Sequence, residues 1–244
     1  MKRTIALISV LLFPLPLIAR AGSAGPATGI AVCDRQLDVP EPPGTLDDST
    51  PLRRAIVRRA LGEVGTVNET AGPDGFKVGW RRLLEYHELA LDKLMRGSAL
   101  DAIKHPNTGL DKDPTKYREW CGIFAIWAVK KAAEDYEAEK GDLVSGGAPP
   151  DAGFDDYRGY LHYVWWNTAK PGVGGGPEGL PFITGTHGVL PGDIVALRNA
   201  QSHHAVVERV VGDTIYTING NGYCQMISRS SVTRPQVAGY YRVE

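Results

Sequence analysis

The chain has 244 residues, 43% of them hydrophobic, and its 27 basic side chains nearly balance 28 acidic ones. This balance argues against a nucleic-acid or anionic-membrane partner attracted by bulk charge. The length fits one domain with a leader and some insertions, and a domain of that size builds its core without a metal or many disulfides.

Residues 1–21 have the pattern of an export signal. Lys2 and Arg3 provide the positive start, a short apolar run follows, and Ala19 and Ala21 are the small residues that a signal peptidase reads. A membrane anchor is the alternative, but the apolar run is shorter than the ~20 residues of a spanning helix, and two prolines interrupt it. We therefore expect an exported protein, periplasmic or secreted, with no integral membrane segment after processing.

Three helices are expected in the first two thirds of the chain. Residues 22–51 are rich in Gly, Pro and acidic side chains and predict an extended arm. Apolar residues at helical spacing predict helices over 52–64 and 77–96, the second with His87 on its apolar stripe as a structural residue. A third helix is predicted over 119–140, and its first half is apolar on most sides, which indicates a buried central helix.

An insertion over 143–187 is rich in Gly and Pro at both ends and holds aromatic residues between them. Tyr160, Tyr163 and Trp166 fall at helical spacing, so the simpler interpretation is an amphipathic helix with a packed face. The alternative is a wall that faces a ligand, in which Trp165 and Trp166 bind substrate through their rings.

The hydrophobic period changes to that of β-strands in the last part of the chain. We predict a hairpin turn at 211–214 and strands over 193–197, 203–211, 214–219 and 237–243. Helices followed by a sequential antiparallel sheet indicate an α+β domain, which we expect to cover residues 52–244.

The cysteines are Cys33, Cys121 and Cys224. In an oxidising compartment cysteines tend to pair, and a leftover thiol calls for a reason. A bridge between Cys33 and Cys224 would leave Cys121 free and would tie the mature N-terminus to the C-terminal sheet. Three buried, unpaired thiols are the alternative, because spacing alone does not fix connectivity.

Cys121 opens the apolar half of the third predicted helix. The polar pair Arg118-Glu119 places the thiol in the first turn, where the helix dipole favours a thiolate. Gly122 leaves room for a substrate carbonyl, and Trp120 can shield one side of the site and contact substrate. A buried structural thiol is the commoner role of a cysteine, but this pattern makes Cys121 a candidate nucleophile.

Two histidines open the predicted strand that follows. Side chains alternate along a strand, so His203 and His204 point to opposite faces, and we expect only one to face the central helix. Asn219 and Asn221 share one face at the end of the next strand. A side-chain amide there can accept a hydrogen bond from an imidazole and hold the ring towards sulfur, as in Cys-His-Asn sites.

These segments resemble the CHAP family, the cysteine- and histidine-dependent amidohydrolases and peptidases of the papain-like cell-wall hydrolase group. The resemblance covers roughly residues 52–243 and consists of short pieces in the same order. The matching pieces are Ala60-Leu61-Gly62-Glu63-Val64-Gly65, Trp120-Cys121-Gly122-Ile123-Phe124, Pro191-Gly192-Asp193-Ile194-Val195, His203-His204-Ala205-Val206-Val207-Glu208 and Ile218-Asn219-Gly220-Asn221.

The resemblance assigns the role of general base to His203. In the family a small residue follows the histidine by two positions and an acidic residue by five, as Ala205 and Glu208 do here. His204 is the alternative, because a shift of one residue turns every side chain of a strand to the other face.

The chain departs from the family on the next strand. The family often carries a glutamate, a glycine and an asparagine there, and Asn219 stands at the first of these positions. An amide stabilises an imidazolium less than a carboxylate does. Asn219 and Asn221 therefore both remain candidates for the residue that orients the histidine.

The resemblance implies a papain-like fold and an exported hydrolase that cleaves amide bonds of peptidoglycan through a thioester on Cys121, with no metal or cofactor. It leaves open whether the enzyme is an amidase or an endopeptidase. A non-catalytic cell-wall-binding or structural module with the same fold is the alternative from another class of protein. A papain-like acyltransferase or a protease acting on proteins is the second enzymatic alternative.

Overall fold

The computed structural model describes residues 49–68, 71–106, 120–144, 164–167, 175–198, 203–222 and 226–243, with 136–144 as backbone only. The helices are α1 (Pro51–Gly62), α2 (Trp80–Leu91), α3 (Ser98–Lys104) and α4 (Cys121–Val144). The strands are β1 (Trp165–Asn167), β2 (Gly176–Glu178), β3 (Phe182–Thr184), β4 (Ile194–Leu197), β5 (His204–Val211), β6 (Thr214–Asn219), β7 (Ser228–Thr233) and β8 (Val237–Tyr241).

The fold is α+β, with helices packed on an antiparallel sheet, as predicted. Six strands form one antiparallel sheet in the order β3-β8-β4-β5-β6-β7, and β1 pairs with β2 in a separate ribbon. Strands β4 to β7 are sequential neighbours, whereas β8 returns to lie between β3 and β4. The hairpin turn is confirmed, since Val211 pairs with Thr214 and Gly212 takes a φ of 57° between them.

The two faces of the sheet are buried in different clusters. Val206 and Ile218 belong to the larger cluster, which is built mainly from helices α1, α2 and α4. Ala205, Val207 and Ile215 belong to a second cluster on the opposite face. Alternation along β5 and β6 therefore decides which residues meet the helices.

Helix α4 is the central helix that the sequence predicts. Every side chain from Cys121 to Lys130 is buried, and the helix packs against α1, α2, β5 and β6. Helix α1 begins as predicted, because Pro51 occupies its first turn and the hydroxyl of Thr50 accepts a hydrogen bond from Arg53 N at 3.4 Å.

A buried ion pair fastens α1 to the sheet. Arg53 Nη1 lies 2.8 Å from Asp193 Oδ1 and 3.0 Å from the Pro191 carbonyl oxygen, and Arg53 also donates to the Val243 carbonyl. Burial raises the pKa of Asp193, and the charge of Arg53 and two backbone N–H groups counteract it. Gly192 has a φ of 86°, and a Cβ there would lie 3.1 Å from Arg53 Cα. The segment Pro191-Gly192-Asp193 therefore attaches helix α1 to the sheet.

A second buried carboxylate joins α1 to α2. Glu63, at the end of α1, accepts hydrogen bonds from Tyr86 Oη at 2.6 Å and Arg82 Nε at 2.9 Å. Burial raises the pKa of Glu63, but the hydrogen bonds from Arg82 and Tyr86 outweigh burial and leave the pKa below its ordinary value. This glutamate of the first matched segment is therefore a structural residue.

Three expectations differ from the structure. The second predicted helix is shorter than 77–96, because Gly79 and Asp92 both adopt left-handed backbone conformations at its ends. The separate helix α3 and the strands β1, β2, β3 and β7 were not expected. Trp166 lies in strand β1 and not in an amphipathic helix, because its backbone pairs with Pro177.

Several expectations lie outside the described residues. These are the export signal, residues 22–48 of the arm, Arg118-Glu119, Tyr160, Tyr163, Cys33 and Cys224. Within the described ranges, no helix has both the length and the apolar character needed to cross a membrane.

Candidate active site

Cys121 is the first residue of α4 and carries a free thiol with an exposed fraction of 8%. The helical hydrogen bonds start with Phe124 N, which donates to the Trp120 carbonyl oxygen at 2.9 Å. The N–H groups of Cys121 and the next two residues precede that bond and have no acceptor within the helix. The thiol thus lies where the partial positive charge of the helix dipole is concentrated.

His203 and Asn219 are joined by a hydrogen bond. The Nε2 of His203 lies 2.9 Å from the Oδ1 of Asn219. An amide oxygen only accepts, so Nε2 carries the proton. In the neutral ring the other nitrogen, Nδ1, then carries no proton.

The orientation of the Asn219 amide follows from its other contacts. Its nitrogen lies 2.8 Å from Ser230 Oγ, 3.1 Å from Thr217 Oγ1 and 3.4 Å from the Ser228 carbonyl oxygen. A carbonyl oxygen accepts only, so the nitrogen belongs on this side and the amide oxygen faces His203. The two hydroxyls are 2.9 Å apart and complete a buried network.

The environment of His203 favours the neutral imidazole. Burial lowers the pKa of His203 below its ordinary value, and the hydrogen bond to Asn219 offsets part of that effect. A neutral imidazole near pH 7 is the form that accepts a proton from a thiol.

His204 has different surroundings from His203. Its buried ring stands edge-on to Trp166 with the centroids 5.1 Å apart, and it lies 6.0 Å from the ring of Tyr241. His204 pairs with Ala196 of β4 and shares a face with Val206, so it is the histidine on the helical side of the sheet. His203 precedes the first residue of β5, so strand alternation does not fix its direction.

The two asparagines also differ. Asn219 is the last residue of β6, whereas Asn221 lies in the turn that follows and has a φ of 53°. The alternation that would place both side chains on one face therefore ends at Asn219. The two asparagines look equivalent in the sequence, but they differ in backbone conformation.

The chain on either side of Cys121 packs closely against Gly220, which follows Asn219, and against Trp166. A Cβ at Gly122 would overlap the six-membered ring of Trp166, which itself contacts His204. A Cβ at Gly220 would overlap Phe124 and lie 3.0 Å from Cζ3 of Trp120. The first turn of α4 is thereby held against the end of β6 and, through Trp166, against the start of β5.

The three tryptophans that the sequence suggested for substrate binding occupy different environments. Trp120 is fully buried in the helical core, and Trp166 is 4% exposed. Trp165, in contrast, is 43% exposed and lies opposite Glu178 in the ribbon of β1 and β2. Of the three side chains, that of Trp165 is the one a ligand can reach.

The acidic residue of the histidine segment has a structural contact. Both carboxylate oxygens of Glu208 are hydrogen-bonded by Arg229, at 2.9 Å from Nε and 2.7 Å from Nη2. This pair links β5 to β7 across β6. Within the described ranges, no group of three or more His, Cys, Asp or Glu side chains is arranged to hold a metal ion.

Sequence reasoning missed the residues that hold the site together. Thr217 is two positions before Asn219 on the same strand, so alternation could have found it. Ser230 lies on β7, which was not predicted, and no sequence signal connects it to Asn219. The contact between Gly122 and Trp166 was likewise not visible from spacing.

The comparisons with known proteins add little. No family model matches the chain, and no curated protein matches it. A solved structure with some similarity is the crystal structure of Ly7917, with 17% sequence identity and a TM-score of 0.33. The match covers 79% of this chain and 62% of that chain, so this chain spans less than two thirds of that protein. A TM-score this low carries no argument about fold or activity.

Proposed function

We propose that the protein is an exported cysteine hydrolase of the CHAP type, which cleaves amide bonds of peptidoglycan. The observation that supports this most is the anchored hydrogen bond between His203 and Asn219. This bond fixes the orientation of the half-buried His203 imidazole, and the chain that follows Asn219 packs against the helix turn that carries the free thiol of Cys121.

The first step is formation of the acyl-enzyme. His203 Nδ1 takes the proton from the thiol, and the thiolate forms a C–S bond to the carbonyl carbon of the amide. The electron pair of the C=O bond moves to oxygen. The N–H of Cys121 donates to this oxyanion, and one such donor contributes roughly 3 kcal/mol in comparable sites.

The second step releases the two products. The oxyanion collapses, the C–N bond breaks, and the His203 imidazolium gives its proton to the leaving amine. Water then attacks the thioester, His203 accepts its proton, and the Cys121 thiol is restored as the carboxylic acid leaves. Asn219 keeps the ring in one orientation throughout, because its own amide nitrogen is held by Ser230 and Thr217.

The substrate assignment rests on the export pattern and on the resemblance to cell-wall hydrolases. Trp165 is the side chain that we assign to substrate contact, because its indole is exposed on a ribbon packed against the start of α4. An exposed indole stacks well on a planar or sugar-like face.

Digestion of purified cell walls tests the function. The wild-type protein is incubated with peptidoglycan, and the released fragments are identified by mass spectrometry. Intact stem peptides released from glycan indicate an amidase, and shortened stem peptides indicate an endopeptidase. Cys121→Ser and His203→Gln are expected to release nothing measurable.

The same assay separates the alternatives. Binding to the cell wall without any cleavage contradicts the hydrolase and supports a non-catalytic module. If a protein such as casein is cleaved while peptidoglycan is not, the result supports the protease alternative. Transfer of an acyl group to an added amine supports an acyltransferase.

A further inference from the structure

A groove of about 480 Å³ lies beside the start of α2, and its residues are distinct from those of the candidate active site. The volume is within the range of roughly 300–1,000 Å³ that small-molecule sites occupy. The indole of Trp80 lines the groove, Pro73 and Val78 add apolar surface, and the exposed side chain of Arg81 adds a positive charge.

Trp80 belongs to a cluster of rings at the surface. Its centroid lies 5.8 Å from that of Phe76, which in turn lies 5.3 Å from the ring of His105. Trp80 and Phe76 are both half-buried, so part of each ring is open to solvent. A half-buried indole beside a groove offers a flat apolar surface to the ring of a ligand.

Two cations stand over the indole. The guanidinium carbon of Arg81 lies 4.9 Å from the centroid of Trp80, and Nζ of Lys104 lies 5.0 Å from it. Among the residues that the structure describes, no carboxylate pairs with either cation. Asp74, which also lines the groove, accepts a hydrogen bond from Phe76 N at 3.1 Å. The groove therefore combines an apolar wall with positive charge that is free to pair with an anion.

The backbone of the groove is already bonded within the chain. Gly72 N donates to the Phe76 carbonyl oxygen at 2.6 Å, and Gly75 N donates to the Gly72 carbonyl oxygen at 3.0 Å. Lys77 N donates to the Lys104 carbonyl oxygen at 2.7 Å. The site is thus largely preformed, and these N–H groups are not open to the main-chain hydrogen bonds by which an extended peptide adds to a protein. This favours a sugar over a peptide as the ligand.

We propose that the groove is a second substrate site, which binds an anionic sugar unit of the cell wall. The sugar ring lies against Trp80, and a carboxylate of the same unit pairs with Arg81 and Lys104. A neutral sugar would leave both cations unused, and a small inorganic anion would leave the apolar wall uncovered. This inference rests on the proposed function. The carboxylate belongs either to the lactyl group of peptide-free N-acetylmuramic acid or to an attached stem peptide.

NMR titration of the Cys121→Ser protein tests the proposal, because this variant is expected to bind glycan units without cleaving them. One probe is the disaccharide of N-acetylglucosamine and N-acetylmuramic acid, and a second is the same disaccharide with a tripeptide stem. The third is the neutral disaccharide diacetylchitobiose. We expect at least one acidic probe to bind about fivefold or more tighter than chitobiose, and the tighter of the two identifies the source of the carboxylate.

Three variants on the same background locate the binding. Trp80→Ala is expected to weaken binding of the acidic probe about tenfold, and Arg81→Met and Lys104→Met about threefold each. Arg58→Met removes an exposed charge from α1 and is the matched control, with unchanged binding expected. Thermal unfolding identifies the variants that are folded. The two cation variants and the neutral probe test the proposal even if Trp80→Ala does not fold.

Three binding results would overturn the proposal. The first is chitobiose binding as tightly as both acidic probes, which would show that the carboxylate is not recognised. The second is wild-type affinity in folded Trp80→Ala or in both cation variants. The third is a free tripeptide stem that binds as tightly as the disaccharide with its stem, which would show that the sugar ring is not bound.

The outcomes also separate this proposal from the hydrolase proposal. If the wild-type protein cleaves no peptidoglycan but the probes bind as expected, the hydrolase proposal fails and the groove stands as a glycan site. If it cleaves peptidoglycan and Trp80→Ala changes neither KM nor probe binding, the groove proposal fails and the hydrolase stands. With both correct, Trp80→Ala raises KM about tenfold and changes kcat less than about twofold.

Discussion

The Nε2 of His203 donates to the Oδ1 of Asn219 across 2.9 Å, and the amide nitrogen of Asn219 is fixed by hydroxyls on two neighbouring strands. This relationship selects the tautomer of the half-buried His203 that carries its proton on Nε2. His204, in contrast, lies on the helical side of the sheet, where its ring packs against Trp166 and Tyr241.

Replacing Asn219 by Asp is expected to raise the pKa of His203. Burial lowers that pKa in the wild type and the hydrogen bond to the neutral amide offsets only part of the effect, whereas a carboxylate at the same place favours the imidazolium more strongly. Because a base loses activity as pH falls through its pKa, the acid limb of kcat/KM lies below pH ~6.5 in wild type and moves up in Asn219→Asp. Histidine NMR on a Cys121→Ser background measures the shift directly.

The matched variant is Asn219→Ala, which removes the orienting oxygen without adding charge. We expect it to lower kcat/KM roughly 100-fold, within the range that a positioned general base contributes. An acid limb at the same pH in the wild type and in Asn219→Asp would contradict the assignment of His203 as the titrating base.

Gly220→Ala is expected to destabilise the protein by about 1–3 kcal/mol, because an added methyl group overlaps Phe124 and presses on Trp120. It is also expected to lower activity, since residue 220 follows Asn219. Gly62→Ala is the matched control: its Cβ meets no atom within 4 Å and it ends a helix, so about 0.5–1 kcal/mol of stabilisation is expected. Urea unfolding measures both, and equal effects would contradict the packing described.

Arg53→Met is expected to cost about 3 kcal/mol of unfolding free energy, because it removes the closer ion-pair partner of the buried Asp193 carboxylate and leaves only Arg242 Nε, at 3.7 Å. Lys131→Met breaks the more exposed pair with Glu134 on α4 and is expected to cost about 0–1 kcal/mol. Denaturant unfolding at pH 7 compares the two. A loss below about 1 kcal/mol for Arg53→Met would show that the pair does not fasten α1 to the sheet.

His87 is expected to make the protein less stable in acid. Burial lowers the pKa of His87 to about 4, while the unfolded chain takes up a proton near pH ~6.5. Only the unfolded state is protonated between these values, so roughly 3 kcal/mol of stability is lost as pH falls from 6.5 to 4. In His87→Met the loss over this interval is expected to be smaller by about that amount, with parallel stability curves above pH 7. An unchanged loss would contradict the buried neutral state.

The hairpin of β5 and β6 could be predicted because the alternation of apolar residues and the Gly-Asp turn both indicate it. Strand β7 could not, because Ser228–Thr233 is polar and lies at the edge of the sheet, where only pairing with β6 makes it a strand. Strand β1 was missed for a related reason. A run of three residues carries no period, and the spacing of Trp166 from earlier tyrosines suggested a helix.

The sequence contains candidates for the nucleophile, the base and the orienting amide. It does not show which histidine is hydrogen-bonded to which asparagine. Alternation could not tell Asn219 from Asn221, because the strand ends between them and Asn221 takes a positive φ. Nor could it anticipate that Trp166 would contact Gly122 from a separate ribbon. Such contacts between distant segments depend on tertiary packing, which spacing along the chain does not encode.

The most direct measurement is the rate at which iodoacetamide alkylates Cys121 at pH 6 in wild type, His203→Gln and His204→Gln, with each cysteine followed by mass spectrometry. The account predicts rapid alkylation of Cys121 in wild type, a loss of at least tenfold in His203→Gln, and a smaller loss in folded His204→Gln. A Cys121 that does not react at pH 6 in the native protein, or that reacts equally fast without the His203 imidazole, would contradict a thiol activated by His203.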